Sequence, residues 1–61
     1  MNKMHIVYTT LNYPTPQIFT LDEKITFEQA NIFFNSFCDL EEIVSAILFD
    51  RTGDFITTFN G

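Results

Sequence analysis

The sequence predicts an α+β fold of ββαββ order, an antiparallel four-stranded sheet with one helix packed on one face. Three observations lead there: two β-rich segments around a proline-bounded loop, one segment with helical spacing behind a capping box, and two apolar segments joined by good turn chemistry. At 61 residues, the span 1-61 is expected to form a single domain.

The stretch Lys3 to Leu11, KMHIVYTTL, is rich in β-branched and aromatic residues and reads as a strand. Asn12 to Pro16, NYPTP, has two prolines separated by one residue. Proline cannot donate to a central ladder, so this piece is a loop. Gln17 to Asp22, QIFTLD, reads as the returning strand of a hairpin.

A helix is expected from about Phe27 to about Cys38. Thr26 with Gln29 three residues later makes a capping box, and Ile25 stands where a staple residue would meet Ala30. At 100° per residue, Phe27, Ala30, Phe33, Phe34, Phe37 and Cys38 fall within an arc of roughly 140°. These side chains are expected to form core against the sheet. Ile32 falls among the polar positions and is expected to meet water.

Asp39 to Asp50, DLEEIVSAILFD, admits two readings. Asp39 can cap a second short helix containing Glu41 and Glu42, or IVSAILF can be a buried strand, because short apolar runs are not decided by period. The residues downstream favour the strand, from Ile43 to Phe49. DRTGD, Asp50 to Asp54, suits a turn with Gly53 at positive φ, and FITTF, Phe55 to Phe59, is β-rich.

One helix covers only one face of such a sheet, and the other face is ordinarily polar. Here simple alternation sets Met4, Ile6 and Tyr8 against Val7 and Leu11, and Phe19 and Leu21 against Ile18. It sets Ile43, Ile47 and Phe49 against Val44, Ala46 and Leu48, and Phe55 and Phe59 against Ile56. Both faces carry large apolar groups. Either a longer or bent helix hides more of the sheet, or an exposed apolar patch marks an interaction site.

Composition narrows the function. With 46% hydrophobic residues, the chain is globular rather than disordered. Net charge is −5, from eight acids against Lys3, Lys24 and Arg51. That balance disfavours direct nucleic-acid binding and attachment to an anionic membrane. No apolar run has transmembrane length, and the N-terminus MNKMHIVY lacks a signal peptide's apolar core. With one cysteine, Cys38, no intrachain disulfide forms, so a reducing cytoplasmic location in a host cell is expected. So short a domain buries only about 60% of its unfolded surface, which favours a homodimer or a protein partner.

No catalytic constellation stands out, and the chain is read as a non-enzyme. His5, Ser36, Cys38 and Ser45 are nucleophile or base types, but catalysis needs them in mutual contact. Cys38 lies on the apolar arc and reads as inert packing, and His5 as a surface residue. One Cys and one His supply at most half a structural zinc site, and DRTGD is too short for an EF-hand loop. No metal or cofactor is expected.

The acids form clusters at Asp22–Glu23, at Asp39, Glu41 and Glu42, and at Asp50 and Asp54. The plainer reading is solvation, with Asp39 as a cap and Asp50 as a turn residue. The functional reading is a negative surface complementary to a basic groove on an enzyme. Under it the expected partner-binding residues are Tyr8, Tyr13, Ile32, Asp39, Glu41, Glu42, Asp50 and Asp54, the tyrosines because aromatic side chains dominate many hot spots.

The hairpin–helix–hairpin layout, with IFT in the second strand, EIVSAILFDRTGDFITTFNG at the C-terminal end and a closing Gly61, resembles the Dmd-type phage antitoxins. In size and acidity the chain is also similar to anti-CRISPR proteins. The resemblance implies a phage-encoded anti-defence inhibitor whose partner is a host protein with a basic nucleic-acid-binding surface: a CRISPR effector, a nuclease or a toxin ribonuclease. The alternative is a small homo-oligomeric structural or assembly protein.

Overall fold

In a computed structural model that describes residues 3–60, the helix begins where the capping box sets it. Helix α1 spans Phe27–Cys38, and Thr26 is its N-cap. The Thr26 hydroxyl accepts from the Gln29 amide at 3.1 Å, and the Gln29 side-chain oxygen accepts from the Thr26 amide at 3.1 Å. Two amides that a helix start leaves unpaired are thereby satisfied. Ile25 packs against the core cluster that includes Ala30, as a staple residue should.

The strands are β1 (His5–Thr10), β2 (Gln17–Thr20), β3 (Ile43–Phe49) and β4 (Phe55–Asn60). They form one antiparallel sheet in the order β2-β1-β3-β4, so the ββαββ prediction holds. Within segment 39–44, residues 39–42 form a turn and residues 43 and 44 begin β3. No second helix forms there, and Asp39 instead closes α1 as its C-cap. The β2–α1–β3 connection carries the chain across β1 and lays the helix over one sheet face. The proline-bounded loop leads into edge strand β2, which has no central ladder to disturb. Gly61, one of the features of the antitoxin resemblance, lies outside the described residues.

The core is a single cluster. Met4, Ile6, Leu21, Ala30, Phe34, Cys38, Ile43, Ala46 and Leu48 are buried, and Tyr8, Phe33, Phe37, Ile56 and Phe59 pack against it. Phe19 on β2 reaches over to Phe33 and Phe37, with ring centroids 5.4 and 5.8 Å apart. The first two strands follow the expected alternation.

Strands β3 and β4 depart from it. Thr9 pairs with Ser45 but Thr10 pairs with Ile43, so Val44 is an extra residue. Leu48 pairs with Thr57 but Phe49 pairs with Phe55, so Ile56 is another. Each bulge reverses the parity of what lies beyond it. Ile43 therefore joins Ala46 and Leu48 under the helix, instead of facing away with Ile47 and Phe49. Phe59 pairs with Ala46 on the helix side, while Phe55 pairs with Phe49 on the open side.

Phe27 also departs from expectation. It lies within the apolar arc, toward the edge marked by Cys38, yet is 56% exposed. Helical side chains lean toward the N-terminus, and Phe27 is the first helical residue. Its ring therefore projects past the start of the helix, whereas Phe34, one full heptad later, is held over the sheet.

Candidate protein-interaction site

Two segments meet at one end of the sheet. The loop after β1 is clasped locally: the Thr10 amide donates to the Tyr13 carbonyl at 3.2 Å, and the Tyr13 amide donates to the Thr10 hydroxyl at 3.0 Å. The Leu11 amide donates to the Glu42 carbonyl at 3.0 Å, which ties this loop to the α1–β3 connection. That connection is itself a tight turn, with the Asp39 amide bonded to Ser36, Leu40 to Phe37 and Ile43 to Leu40.

The two segments enclose an open groove lined by Tyr8, Tyr13, Phe37, Leu40 and Glu42, among others. Tyr8 is half-buried on β1 and stands edge-on to Phe37, with ring centroids 5.0 Å apart at 80°. Tyr13, Leu40 and the adjacent Leu11 are 63%, 48% and 73% exposed. Leu40 is flanked in sequence by Asp39, Glu41 and Glu42, all exposed.

The electrostatics at this end run against local stability. A helix C-terminus presents unpaired carbonyls and favours cations. Helix α1 has no basic residue in its last turn, and three carboxylates follow within four residues. The field reaches Cys38: burial pushes its thiol pKa up, and the neighbouring Asp39 carboxylate pushes it further in the same direction. Cys38 is a buried free thiol held in its neutral form, as expected of inert packing.

The remaining expected site residues lie elsewhere. Ile32 is 61% exposed on the helix surface away from the sheet. Asp50 and Asp54 sit in the β3–β4 turn, at the opposite end of β3. The Asp50 carboxylate is engaged by its own turn, accepting from the Thr52 hydroxyl at 2.7 Å and from the Thr52 and Asp54 amides at 2.9 Å each. These bonds, that from the Thr52 hydroxyl foremost, hold its carboxyl below the ordinary Asp value. The structure thus gathers Tyr8, Tyr13, Asp39, Glu41 and Glu42 at one end, and separates Ile32, Asp50 and Asp54 from them.

A second surface is the sheet face turned away from the helix. Cross-strand pairs set Ile18, Val7, Ile47 and Thr58 in one row, and Thr20, His5, Phe49 and Phe55 in the next. His5 is not the exposed surface residue its position suggested. It is half-buried, with its ring stacked on Phe49 at 5.1 Å and 17°. Thr9 and Ser45 share a hydroxyl–hydroxyl bond of 2.8 Å on this face. No Asp, Glu, Lys or Arg occurs in any of the four strands.

Leu11, Leu40 and Phe37 were not singled out by sequence reasoning as site residues. A signal for Leu40 was present, because an apolar residue between acids in a short connection has little core to enter. Among the described residues, no group of three or more His, Cys, Asp or Glu side chains is placed to hold a metal ion. No described helix is long and apolar enough to cross a membrane. Comparison with protein-family models, curated proteins and solved structures finds no match to the chain.

Proposed function

We propose that the chain is a non-enzymatic, protein-binding inhibitor of the phage anti-defence type. Its groove at the C-terminal end of α1 docks on a basic, nucleic-acid-binding surface of a host enzyme: a CRISPR effector, a nuclease or a toxin ribonuclease. The observation that carries the reading is the placement of Asp39, Glu41 and Glu42 behind a helix terminus with no basic residue in its last turn, around the exposed Leu40. Each acid so placed opposes the helix dipole, typically by about 0.3–1 kcal/mol where it falls within reach of the last turn. Solubility alone could be met by acids at the other helix end or on the loops, so the arrangement fits recognition better than solvation.

Tyr8, Tyr13 and Leu40 are the apolar anchors in this reading, and the three carboxylates set encounter rate and register. The basic target would meet in them a substitute for nucleic-acid phosphates. The test is growth rescue in bacteria that express one defence enzyme of each class. The chain should protect cells against one of them, and an Asp39→Asn/Glu41→Gln/Glu42→Gln variant that still folds should not. Protection against none, or equal protection by the neutralised variant, refutes the proposal.

A further inference from the structure

The open sheet face takes no part in the groove, and its chemistry selects a different occupant. Its two central rows hold Ile18, Val7, Ile47, Phe49 and Phe55, with His5 stacked among them. Ile18 is 68% and Phe55 60% exposed. We propose that this face pairs with the same face of a second copy, making a homodimer of two stacked sheets with the helices outside.

Charge argues for the second copy over a foreign partner. All eight acids lie outside the strands, and identical copies of a chain with net charge −5 repel wherever those acids approach. On the strand face two copies meet without opposing carboxylates; the charged side chains against it are Lys3 and Arg51, which line its end beside His5, Ile18 and Thr20. A basic partner gains nothing there, because the face offers it no carboxylate.

Area agrees. Four strands at about 4.8 Å spacing and six residues at about 3.3 Å rise make a face of roughly 19 × 20 Å in plan. With side-chain relief, two such faces together bury on the order of 1,000 Å², the threshold for a specific interface. Twisted sheets stack at about −30° with their inner side chains interdigitated, and Ile18 and Phe55 stand proud enough to do so. The geometry leaves both acidic grooves accessible, since Tyr8 and Phe37 lie on the helix side. The proposal does not depend on what the grooves bind.

Sedimentation equilibrium on the full chain tests it. From about 1 to 500 µM the mass should rise from 7.1 kDa to twice that value. Ile18→Glu and, separately, Phe55→Glu place a charge in the paired face while altering exposed positions of the monomer. Each should raise the dimer dissociation constant by about 100-fold or more, with the far-UV spectrum unchanged. Ile32→Glu, at an equally exposed site on the helix, should leave the constant within about threefold. A chain that stays at 7.1 kDa across the range, a dimer indifferent to both face variants, or a dimer dissociated by Ile32→Glu overturns the proposal.

Discussion

Replacing Phe34 by alanine should remove most of the stability of this domain, while the same change at Phe27 should be mild. Phe34 is 3% exposed, between the sheet and the helix. Burying a phenylalanine withdraws roughly 150–200 Å² from water, about 4–5 kcal/mol at 25 cal/mol per Å². Truncating such a ring typically costs about 3–5 kcal/mol. Phe27 is 56% exposed, so less than half of its area is withdrawn, and its upper bound is about 2 kcal/mol. For 61 residues, total stability is expected at about 3–9 kcal/mol. Phe34→Ala therefore brings the chain close to its unfolding midpoint in water, and Phe34→Leu keeps the measurement on scale. The assay is urea unfolding followed by far-UV circular dichroism and tyrosine fluorescence, since the chain has no tryptophan. If Phe27→Ala costs as much as Phe34→Ala, the helix is seated about one turn away from the position described, and the core assignment is wrong.

Four further outcomes rest on named contacts. Thr26→Ala removes the hydroxyl half of the capping box and should lower stability by about 1 kcal/mol, read from the urea midpoint at constant m-value. Gly53 adopts φ 88° with nothing within 4 Å of an added Cβ, so Gly53→Ala should cost about 1 kcal/mol through backbone strain alone, again by urea unfolding. Asp50 has a folded-state pKa below its ordinary value of 3.8, so its contribution is complete above that value and disappears as pH falls through the depressed one. Carboxyl-detected NMR titration should show Asp50 as an acid stronger than ordinary, and Thr52→Val should move it back up. Tyr13→Ala truncates a side chain that is 63% exposed, and should weaken target inhibition about tenfold or more while leaving the thermal midpoint within about 2 °C.

The architecture was legible because each of its signals is local. Thr26 and Gln29 announce the helix start, Pro14 and Pro16 the first loop, and Gly53 the second turn. In β3 the facing of Ala46 to Phe49 was legible, but that of Ile43 was not, nor was the placing of Phe55 and Phe59 on opposite faces of β4. The bulges at Val44 and Ile56 insert one residue each, and both residues are ordinary strand formers, so nothing in their type betrays the extra position. The strand order depends on pairing between β1 and β3, which lie more than thirty positions apart, and no short-range pattern encodes it. The acids were visible as clusters, but their differing duties were not. Asp50 is consumed by hydrogen bonds within its own turn, whereas Asp39 and Glu41 flank an exposed leucine, and only folding separates the two cases.

The central claim is that the acidic groove recognises a basic enzyme surface. It is tested most directly by nucleic-acid cleavage assays on a purified CRISPR effector, a nuclease and a toxin ribonuclease, each with added chain. One of the three should be inhibited in a dose-dependent way, its association rate with the chain falling steeply between about 50 and 300 mM salt. Neutralising Asp39, Glu41 and Glu42 should raise the half-inhibitory concentration about tenfold or more and flatten that salt dependence. Inhibition of none of them, or inhibition that the neutralised variant reproduces with the same salt dependence, contradicts the account.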